Sequence, residues 1–382
     1  MLDRPFVVKY RPVPVKKLLM KMKDEASLVL DMAFYSLVYE DKDVAQEVER
    51  IDADLDNDFN LLSIQLMVAA RDVDDAEKLL PALRMGMAAD WVSEAASDIS
   101  AVVLKGYPVD NVVKAALEIT EEVYLRIEVN DELSGMSIGE LKERYGAVDV
   151  IALRRGGVLI PNPSDDVILE RGDIIIVRGN RDDIMKMAKS LGLEFIIPDV
   201  NFTDEEKEIA TRLALLKNMA EVAFDLAVYS LLYQDNNAAE EVLEIERFMD
   251  EESAKLELEM LKLARDKFTT YTSTVLIRSL EKVTDAATAM AQLALSGIEV
   301  HPILKEVAEE GEEKVLVLYV VKDCEMTVAD VEEALDATVL AIYVEGVWIP
   351  MPNSSTKLKK GMKLLIKTYT EPDEIPECLS EP

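Results

Sequence analysis

Histidine is nearly absent. His301 is the one imidazole in 382 residues. It precedes Pro302 in a turn, so no Ser-His-Asp or Cys-His arrangement can form away from it. Cysteine is almost as scarce. Cys324 and Cys378 lie far apart in sequence, so a disulfide framework is not indicated and the cytoplasm is the expected compartment. Cys324 follows an apolar strand and reads as a buried hydrophobe. No apolar run of about 18 residues occurs, so the chain is not expected to span a membrane. The first residues lack the apolar core of a signal peptide. A G-x-x-x-x-G-K-[ST] loop and a G-x-G-x-x-G turn after a strand are both missing, so neither a phosphate loop nor a dinucleotide cofactor is supported. No catalytic constellation stands out, and the chain reads as a non-enzyme.

Positive charge is short as well. Lys and Arg number 42 against 75 Asp and Glu, a net charge of −33. Such a surface repels nucleic acid and anionic lipid, so neither is an expected partner. The exception is the start of the chain. Arg4, Lys9, Arg11, Lys16, Lys17, Lys21 and Lys23 accompany one acid, Asp3. Residues 1–14, with Pro5, Pro12 and Pro14, read as a basic extended arm.

A hydrophobic content of 49% over this length implies several well-packed cores. Glycine marks where the texture changes: eight of the fourteen glycines lie between Gly135 and Gly192. Before them, helical spacing predicts three helices, Val15–Tyr39, Asp41–Val73 and Ala76–Lys105, forming an antiparallel bundle. After Pro198, no glycine or proline occurs from Asp199 to Ser296, and helical texture returns. Thr203 and Glu206 form a capping box at its start.

The stretch Tyr124–Gly192 organises the chain. Tyr124–Val129 reads as a strand, and Ser137 to Glu140 as a capping box opening a short helix. Ile151 and Leu153 alternate with Ala152 and Arg154. Gly156-Gly157 supplies the positive-φ pair of a tight hairpin, and Pro161 to Ser164 ends the return strand. Arg171-Gly172-Asp173 turns the chain into the apolar strand Ile174–Val177, and a helix over Asp182–Leu191 follows.

Both textures recur. Met32–Asp41 (MAFYSLVYED) matches Leu226–Asp235 (LAVYSLLYQD), and Ala70-Arg71-Asp72 matches Ala264-Arg265-Asp266. Ser93–Gly106 matches Thr284–Gly297, and Val150–Pro163 aligns with Val339–Pro352. A period this long indicates domain duplication rather than a solenoid. Tyr35 and Tyr39, repeated as Tyr229 and Tyr233, fall at i, i+4 and read as packing residues, as do Trp91 and Trp348.

Residues Gly139-Glu140-Leu141, Tyr145-Gly146, Arg154-Arg155-Gly156-Gly157, Ile160-Pro161-Asn162-Pro163 and Leu169 to Asp173 together resemble the TrkA-C domain, the C-terminal half of the regulator of potassium conductance (RCK-C). The helical segments resemble the PhoU family, whose bundles can bind metal clusters through E-x-x-x-D motifs. The expected architecture is α+β and multidomain: two PhoU-like antiparallel three-helix bundles, each followed by a small TrkA-C-like α/β domain. Boundaries fall at 15–118, 119–196, 197–308 and 309–376, the last unit being degenerate.

The resemblance implies ligand binding at Arg154, Arg155, Asn162, Pro163 and Ser164. Arginine forks suit a cyclic dinucleotide or another small anion there. The later copy holds Tyr343-Val344 and Met351 instead. It also implies a divalent or iron-type metal at Glu281 and Asp285, with Asp90 and Glu94 at the aligned positions, each pair sharing one helix face. RCK proteins place a Rossmann half where this chain places a helical bundle. The expected function is regulation of cation, above all potassium, transport through a separately encoded membrane channel or transporter. A homodimer held at the inner face of the membrane by that partner is expected. The alternative is a metal-binding PhoU-like regulator of phosphate signalling, with the α/β units as dimerisers.

Overall fold

The computed structural model describes residues 11–146, 148–193, 202–263, 266–310, 314–368 and 375–380. Arg4 and Lys9 of the basic arm, and Ala264-Arg265 of the repeated triplet, lie outside them. The chain begins with three long helices, α1 (Val15–Tyr39), α2 (Lys42–Ala69) and α3 (Val73–Leu104), and a short α4 (Asn111–Glu118). The first helix has the bounds expected from sequence. The second stops earlier and the third starts earlier, because Asp72 caps α3 by accepting from the Asp75 N–H. Asp41 caps α2 in the same way, through the N–H groups of Asp43 and Val44.

A sheet unit follows: β1 (Glu122–Glu128), α5 (Ile138–Tyr145), β2 (Val148–Arg155), β3 (Val158–Pro161), β4 (Ile174–Asn180) and α6 (Arg181–Ser190). The capping box at Ser137 and Glu140 forms, and Gly156 and Gly157 take positive φ in the hairpin turn. Next come α7 (Asp204–Tyr233), α8 (Asn236–Leu263), α9 (Lys267–Leu295) and α10 (Ile303–Glu310). The chain closes with β5 (Lys314–Val320), α11 (Val328–Leu335), β6 (Ala337–Val344), β7 (Val347–Pro350), β8 (Lys363–Thr368) and β9 (Leu379–Ser380).

Both sheets are antiparallel. The first has the order β1-β4-β2-β3, the second β7-β6-β8-β5-β9. Each carries the same irregularity: the register shifts at Ile151 in β2 and at Leu340 in β6. The freed carbonyls accept from the N–H groups of Asn162 and Met351, both at positive φ. The bulge thus bends the hairpin and fixes where the Asn162 loop begins.

Each sheet is covered on both faces. Tyr124, Ile151, Ala152 and Ile176 join the core of the helices, while Val150, Leu153, Ile175 and Val177 pack under α5 and α6. Two-sided burial is why Ile174–Val177 reads as a continuous apolar run. One apolar core runs through both helical triplets, because α3 packs along α9. The short helices cross over: α4 packs on α7, and α10 packs on α1.

Candidate functional site

A cavity of about 390 Å³ opens where the first sheet unit meets α1. Its walls are Asn162, Pro163, Ser164 and Asp165 from the loop after β3, Lys142 from α5, Asp149 and Arg178 from the sheet, and Asp24, Ser27 and Leu28 from α1. A second hollow of about 510 Å³ continues along α1 and shares Asp24, Leu28 and Asn162 with it. Lys21, Glu25 and Asp58 line that extension. Lys21 donates to Asp58 at 2.5 Å, and burial lifts the Glu25 carboxyl to about 7 despite Lys21.

The charges in the first cavity are already paired. Lys142 Nζ lies 2.8 Å from both Asp149 and Asp165. Arg178 reaches Asp149 at 3.4 Å. Burial works to raise the Asp149 carboxyl, but Arg178 and Lys142 outweigh it and hold Asp149 below its ordinary value. Three carboxylates thus share this lining with two cations.

Arg178 is the hinge of the arrangement, since it also borders a small buried void of about 30 Å³ between the two helical triplets. There it donates to Asp31 of α1, whose other oxygen accepts from Tyr124 Oη at 2.8 Å. Burial raises the Asp31 carboxyl even with Arg178 beside it. The same void is bordered from the other half of the chain by Glu221, Asp225 and Lys367. Lys367 lies 3.8 Å from Glu122 and 3.9 Å from Asp225. Lys217 is fully buried, 2.8 Å from Glu221 and over the Phe34 ring at 5.5 Å. Burial brings Glu221 to about 7, opposed by Lys217. A buried ionic knot therefore joins β4 and β8 to α1 and α7. A charge change at the open cavity reaches it through one guanidinium.

Of the residues expected at a ligand site, the structure gathers Asn162, Pro163 and Ser164 into the cavity. The two arginines do not line it and instead hold acids of the protein itself. Arg154 donates to both oxygens of Asp41, at 2.9 and 3.0 Å, and so fastens the hairpin to the α2 cap. Arg155 grips Asp173 and the Ile168 carbonyl within its own unit. The residues that sequence reasoning missed are Asp31, Asp149, Arg178, Lys217, Glu221 and Lys367. A signal was there: Asp31 interrupts LVLDMAF, Arg178 follows IIIV, and Lys367 follows LLI. A charge inside an apolar run is either an error of folding or a buried pair.

The carboxylates expected to hold a metal lie on two helices, Asp90 and Glu94 on α3, Glu281 and Asp285 on α9. Glu94 is instead bonded to Lys282 of α9 at 2.7 Å, tying the helical triplets together. Among the described residues, no group of three or more His, Cys, Asp or Glu is gathered so as to hold a metal ion. Asp90 faces Asp56, Glu94 and Asp52, and burial followed by those three acids raises it to about 7. The stability from an acid raised in the fold is fully present below its unfolded value and is lost as pH rises through the folded value. Asp90→Asn is therefore expected to stabilise the protein at pH 8 by about 1–2 kcal/mol, discounted for partial exposure, and the gain shrinks as pH falls towards 4. Denaturant melts at the two pH values measure it; an equal effect at both would refute the assignment.

Comparison with known proteins supplies two domain matches. The TrkA-C domain matches residues 123–192, and the PhoU domain matches residues 213–294. Among solved structures, PhoU from Pseudomonas aeruginosa is similar at 13% identity and a TM-score of 0.40, over 74% of this chain and 93% of that one. The GsuK RCK domain is similar at 10% identity and a TM-score of 0.16, over 67% of this chain and 66% of that one. The GsuK channel bound to NAD matches at 11% identity and a TM-score of 0.18, over 77% of this chain and 63% of that one. No curated protein matches. Among the described residues, no helix is long and apolar enough to cross a membrane. The chain thus carries a segment matching the TrkA-C domain over 123–192 and one matching the PhoU domain over 213–294.

Proposed function

We propose that this protein is a ligand-sensing regulator of cation transport that acts on a separately encoded membrane channel or transporter. The observation that carries the reading is the cavity floored by Arg178. One wall belongs to the TrkA-C domain and the other to α1, so an occupant touches both. Its volume is in the range of small-molecule sites, roughly 300–1,000 Å³. A ligand that competes for Lys142, Asp149 or Arg178 changes what remains for Asp31. That alters how firmly sheet and helix are joined, and only a ligand with different affinity for the two arrangements can switch anything. With three carboxylates against two cations, the lining favours a polar ligand carrying positive charge or both signs over a bare polyanion.

We further propose that the chain is a tandem repeat of bundle plus TrkA-C-like unit, with the first unit as the sensor. The second unit puts Met351 where the first has Asn162, and Tyr343 where it has Arg154.

A thermal-shift screen tests the sensing role, using cyclic dinucleotides, mononucleotides, polyamines and amino acids. A true ligand at a hundredfold excess over its Kd adds about 2.7 kcal/mol of stability. Ser164→Trp, on an exposed wall of the cavity, should abolish that shift while leaving the unliganded melt in place. A screen without any shift, or a shift that survives Ser164→Trp, removes the sensing role. Recovery of a transport protein from native membranes with tagged chain tests the partner, and recovery of none counts against it.

A further inference from the structure

The chain's two cysteines meet in the fold. The segment 375–380 runs beside β5 as a strap, with Leu379 paired to Val320 and Ser380 to Tyr319. The Val321 N–H donates to the Cys378 carbonyl at 2.9 Å. This lays Cys378 against the turn after β5, which carries Cys324. Cys378 belongs to the apolar cluster against which Cys324 and Met326 pack, and Cys378 Sγ lies 3.8 Å from Met326 Sδ. Lys322 and Glu377 clasp the same junction at 2.8 Å. From sequence alone a disulfide framework is not indicated; the late strand β9, which sequence did not anticipate, brings the two residues together.

We propose that Cys324 and Cys378 form a reversible disulfide that locks the C-terminal strap onto the edge of the second sheet. Cys378 is 5% exposed and Cys324 is half-buried, so Cys324 is the thiol that a dissolved oxidant meets. Its thiolate attacks one sulfur of a low-molecular-weight disulfide and expels one small thiolate. Cys378 then loses its proton and attacks the Cys324 sulfur of the mixed disulfide, expelling nothing but the second small thiolate. Two protein thiols become one disulfide, two protons leave, and two electrons reduce the oxidant to two thiols. Burial, helped by the neighbouring Cys324, pushes the Cys378 thiol up to about 11, which fits it as the resolving partner rather than the first to react. Without β9, β5 is the bare edge of its sheet, and an uncovered edge is open to pairing with another chain. The disulfide keeps that edge covered while it is oxidised; reduction leaves only the strap's own contacts.

The full chain, equilibrated with a graded ratio of reduced to oxidised glutathione, alkylated and mapped by mass spectrometry, tests this. A Cys324–Cys378 linked peptide in monomeric chain, lost on reduction, is expected. Amide exchange in 375–380 should slow by about tenfold or more in the oxidised form. Cys378→Ser should instead hold glutathione at Cys324. A wild-type chain that stops at glutathionylated Cys324, forms interchain disulfides, or keeps both thiols alkylatable overturns the proposal. So does an internal disulfide that leaves exchange in the strap unchanged.

Discussion

Arg178→Met is expected to destabilise the protein by about 3–5 kcal/mol at pH 7, the usual cost of stripping one partner from a buried ion pair. Arg178 is 5% exposed, and its guanidinium serves both Asp31 and Asp149. Once it is gone, Asp31 keeps the Tyr124 hydroxyl and the more distant Lys367 and Lys217, and must hold its buried charge on these or take up a proton. Asp31→Asn keeps an acceptor for Tyr124 and removes the charge, so Arg178→Met with Asp31→Asn should recover most of the loss. Asp31 is raised already, and losing Arg178 raises it further. The stability of an acid so raised is present at low pH and disappears as pH climbs through its folded value. The Arg178→Met penalty should therefore grow from pH 5 to pH 8. Urea melts of the two variants across that window check it. A penalty under about 1 kcal/mol, or one independent of pH, would mean the knot is not what joins sheet to helix.

The second large effect is Trp348→Ala, with a cost of about 3–5 kcal/mol. The indole is 1% exposed on β7. Its ring centroid lies 5.8 Å from that of Tyr229 on α7 and 5.4 Å from that of Tyr343 on β6. It is the aromatic plug between the second sheet and its helices, where the aligned residue of the first sheet unit is Leu159. Trp348 Nε1 is buried without a hydrogen-bond partner among the described residues. Trp348→Phe removes that unsatisfied donor along with some volume, so it should cost far less than alanine, about 1 kcal/mol. Fast amide exchange in β6 and β8 of Trp348→Ala, with α7 and α8 still protected, would mark release of the sheet from the helices. Equal costs for alanine and phenylalanine would contradict the packing role.

Much of the architecture was legible because its signals are local. The capping boxes at Ser137 and Thr203, the Gly156-Gly157 turn and the period of α1 need only neighbours a few residues away. The α2–α3 boundary was displaced because Asp72 competes as a cap, and helical periodicity does not register a cap. The candidate site was half legible. Asn162, Pro163 and Ser164 reach the cavity because the bulge at Ile151 fixes their loop. Arg154 and Arg155 are drawn away by Asp41 and Asp173, one of them more than a hundred positions distant. The ionic knot draws on α1, β4, α7 and β8, whose meeting no local pattern encodes. The cysteine contact escaped for the same reason.

The crossing of the short helices sets a constraint on synthesis. As the chain leaves the ribosome, α1 to α4 emerge first, but α4 has no α7 to lie on and α1 has no α10 to cover it. The first sheet unit can close on its own, since its strands are sequence neighbours. The helices before it must wait with apolar surface uncovered until α7 and then α10, well into the second half, have been made. The first half is therefore where a chaperone would be needed, and the arrival of α10 is the event that ends the need.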